Sequence, residues 1–195
     1  MAKLVFYYGS MNSSKSAQLI MTAFNFEQQG KNFEIVKSSQ DTRDNKIKSR
    51  ALNIEMNCIP VSKFVDLLNV ATEKKPDWLF VDEVQFMTKD MIDTLSFVVD
   101  ELGINVITYG LMTNFQGELF EGSKRLVESA DSIREIKNQC IYCENKAIRN
   151  MRLFDNVPVF EGEIIQPGGN ESYMSLCRSC YTKIKKETNK EKRAM

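Results

Sequence analysis

Residues 7 to 19, "YYGSMNSSKSAQL", match a phosphate-binding loop at all but one position. The Walker pattern requires a glycine, four residues, a second glycine, a lysine, and then serine or threonine. Gly9, Lys15 and Ser16 meet these requirements, whereas Ser14 stands where the second glycine belongs. In such a loop, backbone N–H groups surround the phosphates, the lysine contributes positive charge, and the following hydroxyl binds magnesium. We therefore predict a nucleotide site formed by Gly9, Ser10, Met11, Asn12, Ser13, Ser14, Lys15 and Ser16.

The serine at position 14 leaves two interpretations of this loop open. A glycine lets the main chain approach the phosphates closely, and serine fits in its place if the backbone need not adopt a positive φ. The first interpretation is therefore a working nucleotide site with altered nucleotide affinity. The second is a serine-rich segment that only caps the start of a helix, as serine often does.

The flanking residues predict an α/β fold of the P-loop, RecA-like type, in which helices flank a parallel sheet. Short apolar runs predict strands, and apolar residues at helical spacing predict helices that end near Gly30 and Gly103. The predicted strands are 3–8, 32–37, 77–83 and 104–110, and the predicted helices are 16–29, 62–71 and 91–102. The polar segment 41–51 lacks periodicity, so we expect a mobile surface loop there.

Two acidic residues, Asp82 and Glu83, end the apolar run "LFVDE". Open parallel sheets bind ligands at the carboxyl ends of their strands, and a Walker B aspartate there helps to hold magnesium. Adjacent side chains at a strand end point to opposite sides, so we expect one carboxylate to serve the metal and the other to face the acceptor. Acidic pairs at strand ends are usually only solvated, but a phosphate-binding loop on a neighbouring strand favours the functional interpretation.

The cysteines form two C-x-x-C pairs, Cys140 with Cys143 and Cys177 with Cys180, and 33 residues separate the pairs. This pattern is typical of a tetrahedral zinc site whose closure anchors a small module. A redox or disulfide role is the rival interpretation, and a cytosol that keeps thiols reduced disfavours it. We expect the fifth, Cys58, to be a buried small hydrophobic residue.

Composition limits the classes of function. With 195 residues, 43% of them apolar, we predict a nucleotide-binding domain over 1–138, a zinc-binding domain over 139–186 and a flexible tail over 187–195. The 26 basic and 26 acidic residues cancel, which argues against a nucleic acid or an anionic membrane as partner. The sequence has no apolar run that would span a bilayer and no cleavable signal, so we expect a cytoplasmic protein. Because histidine is absent, acid–base chemistry falls to carboxylates.

Several segments together resemble the type II thymidine kinases, in particular those of bacteria and bacteriophages. The resemblance rests on "FYYGSMNSSKS", "DTR", "FVDEVQF", "YGLMTNFQGELFEGS", "CIYC" and "GGNESYMSLCRSC", which lie along nearly the whole chain. It implies transfer of the ATP γ-phosphate to the 5′-hydroxyl of thymidine, and also of deoxyuridine, in nucleotide salvage for DNA synthesis. It further implies a homotetramer, feedback inhibition by thymidine triphosphate (dTTP), and a structural zinc in a small lasso-bearing domain.

The resemblance also implies roles for single residues. Glu83 corresponds to the family's general base, which takes the proton of the 5′-hydroxyl. Asp82 and Ser16 correspond to the magnesium site, and Lys15 to the lysine that contacts the ATP phosphates. Physically this is sensible, because phosphoryl transfer needs alignment and charge neutralisation more than covalent help.

Further correspondences extend the donor site and define a thymine pocket. Asp41 and Arg43 in "DTR" match residues that assist around the metal and the phosphates; without the resemblance they would be read as loop charges. The pocket around the thymine ring corresponds to Met11, Leu111, Phe115 and Tyr173, although ordinary core packing also explains Leu111. The lasso, which reads the base edge mainly through main-chain hydrogen bonds, corresponds to 164–169, with Ile164, Gln166, Pro167 and Gly168 as substrate contacts.

Three positions depart from the family pattern. Ser14 replaces the P-loop glycine, Met112 stands where many members have an aspartate or arginine, and Pro167 stiffens the lasso and removes one N–H. Two other classes of function provide alternatives. A nucleic-acid-dependent ATPase with a zinc ribbon is disfavoured by the zero net charge. A non-catalytic nucleotide-binding relative is disfavoured by the presence of Lys15 and Glu83.

Overall fold

A parallel six-stranded sheet forms the centre of the molecule. The computed structural model describes residues 1–40, 45–49, 52–164 and 172–194. Its strands, in chain order, are β1 (Leu4–Tyr8), β2 (Phe33–Ser38), β3 (Lys46–Ser49), β4 (Ile54–Asn57), β5 (Ile59–Val61), β6 (Trp78–Asp82), β7 (Asn105–Gly110), β8 (Ser132–Glu135), β9 (Arg149–Phe154), β10 (Val157–Val159) and β11 (Tyr173–Leu176). Six of them stand in the order β5-β2-β6-β7-β1-β8, and every neighbouring pair is parallel. The predicted α/β class is confirmed.

Helices connect the strands as the apolar spacing predicts. They are α1 (Lys15–Gln28), α2 (Phe64–Asn69), α3 (Lys89–Asp100), α4 (Glu121–Ser129) and α5 (Arg178–Ala194). A π-helical turn, Val70–Lys74, extends α2, and a 3-10 turn, Val84–Phe86, follows β6. The predicted helices are confirmed with small shifts at their ends, where fraying makes boundaries uncertain. Among the described residues, no helix combines the length and apolarity needed to cross a membrane.

The sheet is buried on both faces. Leu79 and Val81 of β6 join an apolar cluster with α2, α3 and α4, whereas the intervening Phe80 joins a second cluster with α1. Alternate side chains of a strand point to opposite faces, so continuous apolar strands are what a sheet covered on both sides requires. The carboxyl ends of the strands therefore remain as the polar edge of the sheet.

The strand order corrects one expectation about the site. The phosphate-binding loop follows β1 and the acidic pair ends β6, but these strands are not neighbours, because β7 lies between them. Sequence order cannot reveal this, since the crossover connections decide which strands pair. The ends of three adjacent strands, β6, β7 and β1, therefore lie side by side at the site, with β7 in the middle.

The segment predicted as a mobile loop, 41–51, is also corrected in part. Residues 41–44, 50 and 51 lie outside the described residues, but Lys46–Ser49 form β3, which pairs with β4 in an antiparallel hairpin. Ile47 is fully buried in the cluster beneath α1. Ile47 is the buried apolar side chain of this hairpin, and a single apolar residue gives no periodicity for a sequence pattern to detect.

A second, antiparallel sheet with the order β10-β9-β11 lies towards the C-terminus. Its apolar cluster contains Met151 and Leu176 together with two of the cysteines, Cys140 and Cys177. The predicted limits of the two domains stay a prediction. The predicted flexible tail, 187–195, also stays a prediction, and within it the helical backbone of α5 continues to Ala194. Its lysines and glutamates are good helix formers, which explains a helix with few apolar residues.

Candidate active site

The loop between β1 and α1 wraps around the amino group of Lys15. This group donates hydrogen bonds to the carbonyl oxygen of Ser10 at 2.7 Å and to that of Gly9 at 3.4 Å. Burial lowers the pKa of Lys15, while the negative charges of Glu83 and Asp82 act in the opposite direction. The ammonium therefore lies within electrostatic reach of both carboxylates, which suits a charge placed between phosphates and a metal ion.

Ser14 occupies the backbone conformation that the Walker glycine normally supplies. It has φ 63° and ψ 28°, in the left-handed region, and it is the residue from which α1 starts. The condition under which serine would fit without strain is therefore not met. Its side chain makes no capping hydrogen bond, so the structure does not support the interpretation of a merely self-capping serine. The loop keeps the P-loop backbone at the expense of a strained serine.

Gly9 is needed because the main chain passes too close for any side chain. A Cβ at this position would lie 2.7 Å from the carbonyl oxygen of Ile136 and would also meet Ser13. The Gly9 N–H donates to the carbonyl oxygen of Gly110, at the end of β7. The first Walker glycine therefore packs the loop between the ends of neighbouring strands.

Asp82 and Ser16 form the expected oxygen pair for a metal ion. The Ser16 hydroxyl donates to Asp82 Oδ2 at 3.2 Å, and the Glu83 N–H donates to Asp82 Oδ1 at 3.0 Å. Burial and the charge of Glu83 raise the pKa of Asp82 to about 7, against the opposing effect of Lys15. Hydroxyl and carboxylate oxygens are the ligands that Mg²⁺ prefers, and a bound cation would favour the ionised carboxylate.

Glu83 has a left-handed backbone conformation that its residue type does not predict. It has φ 52° and ψ 38°, which is rare for a residue other than glycine or asparagine. The Gln85 amide group donates to Glu83 Oε2 at 2.5 Å, and the same amide accepts from the Leu111 N–H at 3.0 Å. A Cβ at Gly110 would lie 2.6 Å from Gln85 Oε1, so glycine there makes room for this bridge. Left-handed residues that are fixed in this way are concentrated at functional sites.

The residues expected around the thymine ring lie on three separate elements. Leu111 and Phe115 are buried in the segment after β7, Tyr173 begins β11, and Met11 belongs to the phosphate-binding loop. The Phe115 ring lies 4.0 Å from the guanidinium carbon of Arg152, and Phe115 O accepts from the Tyr181 hydroxyl at 3.0 Å. Met112, the position that departs from the family, is partly buried against the core.

The C-terminal sheet supports the phosphate-binding loop directly. Asn150 Oδ1 accepts from the Met11 N–H at 2.8 Å, and its amide donates to the Thr113 carbonyl at 3.2 Å. The Met11 carbonyl accepts in turn from Asn138 and Ser175. Asn150, a single buried residue, thus links the phosphate-binding loop between β1 and α1 (called the donor loop below) to the segment that carries Leu111 and Phe115.

Several predicted site residues cannot be placed. Asp41 and Arg43, and in the lasso Gln166, Pro167 and Gly168, lie outside the described residues, so their roles stay predictions. Ile164 is described and is 45% exposed.

The four paired cysteines come together in one cluster. The ligand atoms of Cys140, Cys143, Cys177 and Cys180 all lie within 4.8 Å of one another, and Cys143 Sγ is 3.7 Å from Cys177 Sγ. Zinc–sulfur bonds of about 2.3 Å in a tetrahedron place sulfurs about 3.8 Å apart, so the cluster fits a zinc ion. Hydrogen bonds among the four thiols, together with desolvation, raise the pKa of Cys180 to about 12. A divalent cation would stabilise the thiolates, so it suits this donor set.

Cys58 is buried in the cluster beneath α1, as expected, and lies outside this group. Sequence reasoning missed three buried polar residues of the site, namely Gln85, Asn150 and Arg152. Gln85 lies inside the quoted motif "FVDEVQF", and its position two residues after Glu83 was the available signal. Asn150 and Arg152 offered none, because their partners are about 10 to 140 residues away in sequence.

Comparison with known proteins agrees with this geometry. A family model described as thymidine kinase matches residues 2–181. A thymidine kinase from Streptococcus pyogenes is 43% identical over 184 residues, which cover 93% of this chain and 97% of that protein. One from Lactiplantibacillus plantarum is 42% identical over 185 residues, covering 93% and 96%. The Pif1 helicase structure from Candida albicans, at 17% identity and a TM-score of 0.44 over 70% of this chain and 36% of that one, is too distant to support an argument. The chain belongs to the thymidine kinase family.

Proposed function

We propose that this protein transfers the γ-phosphate of ATP to the 5′-hydroxyl of thymidine, with Glu83 as the general base. Membership of the family supports thymidine phosphorylation, and the relatives at 43% and 42% identity carry the name thymidine kinase. The observation that carries the assignment of the base is the Glu83 carboxylate, held by Gln85 at 2.5 Å beside the phosphate-binding loop.

A fixed carboxylate is the group this reaction needs. As the 5′-oxygen attacks the γ-phosphorus, its proton passes to Glu83, the bond from the γ-phosphorus to the bridging oxygen breaks, and ADP leaves. The base must be held within hydrogen-bond reach of the hydroxyl, and the chain contains no histidine that could serve instead. The left-handed backbone of Glu83 and the Gln85 amide both restrict where the carboxylate can point.

The donor site takes the ATP phosphates on the loop from Gly9 to Ser16. Lys15 contacts the phosphate oxygens once they displace the loop carbonyls that it now binds. Ser16 and Asp82 hold magnesium, which supplies charge neutralisation when bound. Asp41 and Arg43 assist around the metal and the phosphates, and Arg43 carries charge that the transferring phosphate requires.

The acceptor site encloses the thymine ring between Met11, Leu111, Phe115 and Tyr173, with the lasso residues Ile164, Gln166, Pro167 and Gly168 against the base edge. Deoxyuridine lacks only the methyl group of thymine, so the same pocket accepts it. The four cysteines hold a structural zinc that fixes the C-terminal sheet. Feedback inhibition by dTTP, a homotetramer, nucleotide salvage and a cytoplasmic location complete the proposal, and they rest on the family alone.

The test of this function is the identity of the product. The purified protein is incubated with magnesium, ATP labelled at the γ-phosphate, and thymidine. The proposal predicts labelled thymidine 5′-monophosphate, and no labelled product from 5′-deoxythymidine, which lacks the accepting hydroxyl. Label released only as inorganic phosphate, equally with and without thymidine, would indicate an ATPase and contradict the proposal.

A further inference from the structure

Arg152 is a buried charge on the central strand of the C-terminal sheet, β10-β9-β11. It lies on β9, pairs directly with Tyr173 of β11 and with Val159 of β10, and is only 6% exposed. Burying a guanidinium is costly unless its hydrogen-bond donors are satisfied. In the described part of the chain no carboxylate forms an ion pair with it. Among the described residues, its partners are backbone carbonyls and aromatic rings.

Backbone carbonyls provide part of the compensation for this buried charge. One terminal nitrogen of Arg152 donates to the Glu163 carbonyl at 2.6 Å, and the other donates to the Glu161 carbonyl at 2.9 Å. The planar fork of arginine fits two such acceptors at once, which a lysine cannot do. Between them, Gly162 has φ 114°, and a Cβ there would lie 2.9 Å from the arginine nitrogen. The segment 161–163 is thus shaped around this guanidinium.

Aromatic residues of the proposed thymine pocket provide the rest. The guanidinium carbon lies 4.0 Å from the centre of the Phe115 ring, within the range of a cation–π interaction. Arg152 also interacts with the Tyr173 side chain, where burial raises the pKa of the tyrosine and the arginine partly opposes this. Phe115, the segment 161–163 and Tyr173 therefore all contact the Arg152 side chain.

We propose that Arg152 is the positioning residue of the nucleoside site. It holds Phe115, Tyr173 and the segment 161–163 at fixed distances from one another, so that the pocket is already formed before the nucleoside enters. This inference rests on the proposed function, because it takes Phe115 and Tyr173 to be contacts of the base. A pre-organised pocket binds its ligand more tightly, since less ordering is needed on binding. The nucleoside, and not ATP, is then the ligand affected by loss of Arg152.

The experiment measures kcat and both KM values for Arg152→Ala, Arg152→Lys and Gly162→Ala. Arg134→Met, an exposed arginine on β8, is the matched control. We expect Arg152→Ala to raise the KM for thymidine about tenfold or more, with the KM for ATP within about twofold, because two charge-assisted hydrogen bonds are lost. Arg152→Lys should raise the KM for thymidine less than Arg152→Ala does. Gly162→Ala keeps the arginine but displaces it, and should also raise the KM for thymidine.

Zinc content and thermal unfolding verify that each variant is folded. Equal losses in activity at all ATP and thymidine concentrations, or an unchanged KM for thymidine in the folded variants, would overturn the positioning role while leaving the proposed function intact. If Arg152→Ala does not fold, the positioning role is tested by the KM for thymidine and the KM for ATP of Arg152→Lys and Gly162→Ala. A wild-type protein that does not phosphorylate thymidine would overturn the proposed function, and this inference with it.

Discussion

At the scale of the residue, the unusual feature of the donor loop is a serine in a glycine conformation. Ser14 has φ 63° without any capping hydrogen bond to compensate. A left-handed conformation costs an L-residue about 1–2 kcal/mol, and glycine's greater entropy loss on folding offsets part of the gain. Ser14→Gly should therefore stabilise the protein by roughly 0.5–1 kcal/mol in urea unfolding, and should change mainly the KM for ATP in kinetic assays.

Asn12→Gly is the matched control for that prediction. Asn12 is also left-handed, with φ 59°, but asparagine tolerates this region better than serine. Its replacement by glycine should give a smaller gain in stability. A Ser14→Gly variant that is less stable than wild type would mean that the serine is not strained.

A second residue-scale prediction concerns the Gln85 amide, which holds the carboxylate of the proposed base, Glu83. Gln85 is buried and uses both ends of its side chain, one on the Glu83 carboxylate and one on the Leu111 N–H. Gln85→Met keeps the length of the side chain and removes both hydrogen bonds. We expect kcat to fall about tenfold or more, with the KM for ATP little changed, because the carboxylate is no longer aligned. Exposed Gln28 at the end of α1 provides the control Gln28→Met, and equal kcat values for both variants would contradict the alignment role.

At the scale of the element, the C-terminal sheet is hydrogen-bonded directly to the donor loop. Asn150, on β9, satisfies the Met11 N–H and the Thr113 carbonyl while 4% exposed. Asn150→Ala leaves both groups without this partner, at a stability cost of about 1–3 kcal/mol for a buried polar group. Urea unfolding should show this loss, and the KM values for both substrates should rise. Asn25→Ala, on the exposed side of α1, should have neither effect, and an Asn150→Ala variant that behaves in the same way would contradict the link.

The sequence predicted individual strands and helices better than it predicted how the strands pair. Glycines and apolar spacing located four of the six strands of the parallel sheet, β1, β2, β6 and β7, and the helices α1, α2 and α3, because each of these carries its own apolar pattern. The short strands β5 and β8 and the helix α4 were not predicted. The hairpin around Ile47 was missed, since a single buried apolar residue leaves no pattern. The position of β7 between β1 and β6 was missed as well, because pairing is decided by connections that no local pattern describes.

Within the site, the difference between predicted and missed residues has the same origin. Lys15, Ser16, Asp82 and Glu83 stand out in the sequence because each belongs to a local motif with a known chemical task. The structure brings them together, and their roles stay predictions. Arg152, and Gln85 in its contact with Leu111, act through partners brought together by folding, and the left-handed backbone of Ser14 and Glu83 cannot be read from residue type. Local motifs thus indicate candidate reacting groups more readily than the groups that position them.

At the scale of the whole molecule, the cysteine cluster should hold the C-terminal sheet in place. Cys177→Ser removes one of four ligands, so zinc content should fall from about one ion per chain and the thermal midpoint should drop. Thymidine kinase activity should fall together with zinc, because the sheet braces both the donor loop and Phe115. Cys58→Ala, outside the cluster, should retain the metal. Full activity in a zinc-free Cys177→Ser protein would contradict a structural role for the metal.

The role of Glu83 as the general base is tested by the turnover of Glu83→Gln with thymidine, ATP and magnesium. The amide keeps the size of the side chain but cannot accept the proton of the 5′-hydroxyl, so kcat should fall by about 10²–10⁴-fold with the KM for ATP nearly unchanged. Glu101→Gln, an exposed carboxylate after α3, should match wild type. A Glu83→Gln protein whose kcat stays close to that of wild type would show that Glu83 is not the base.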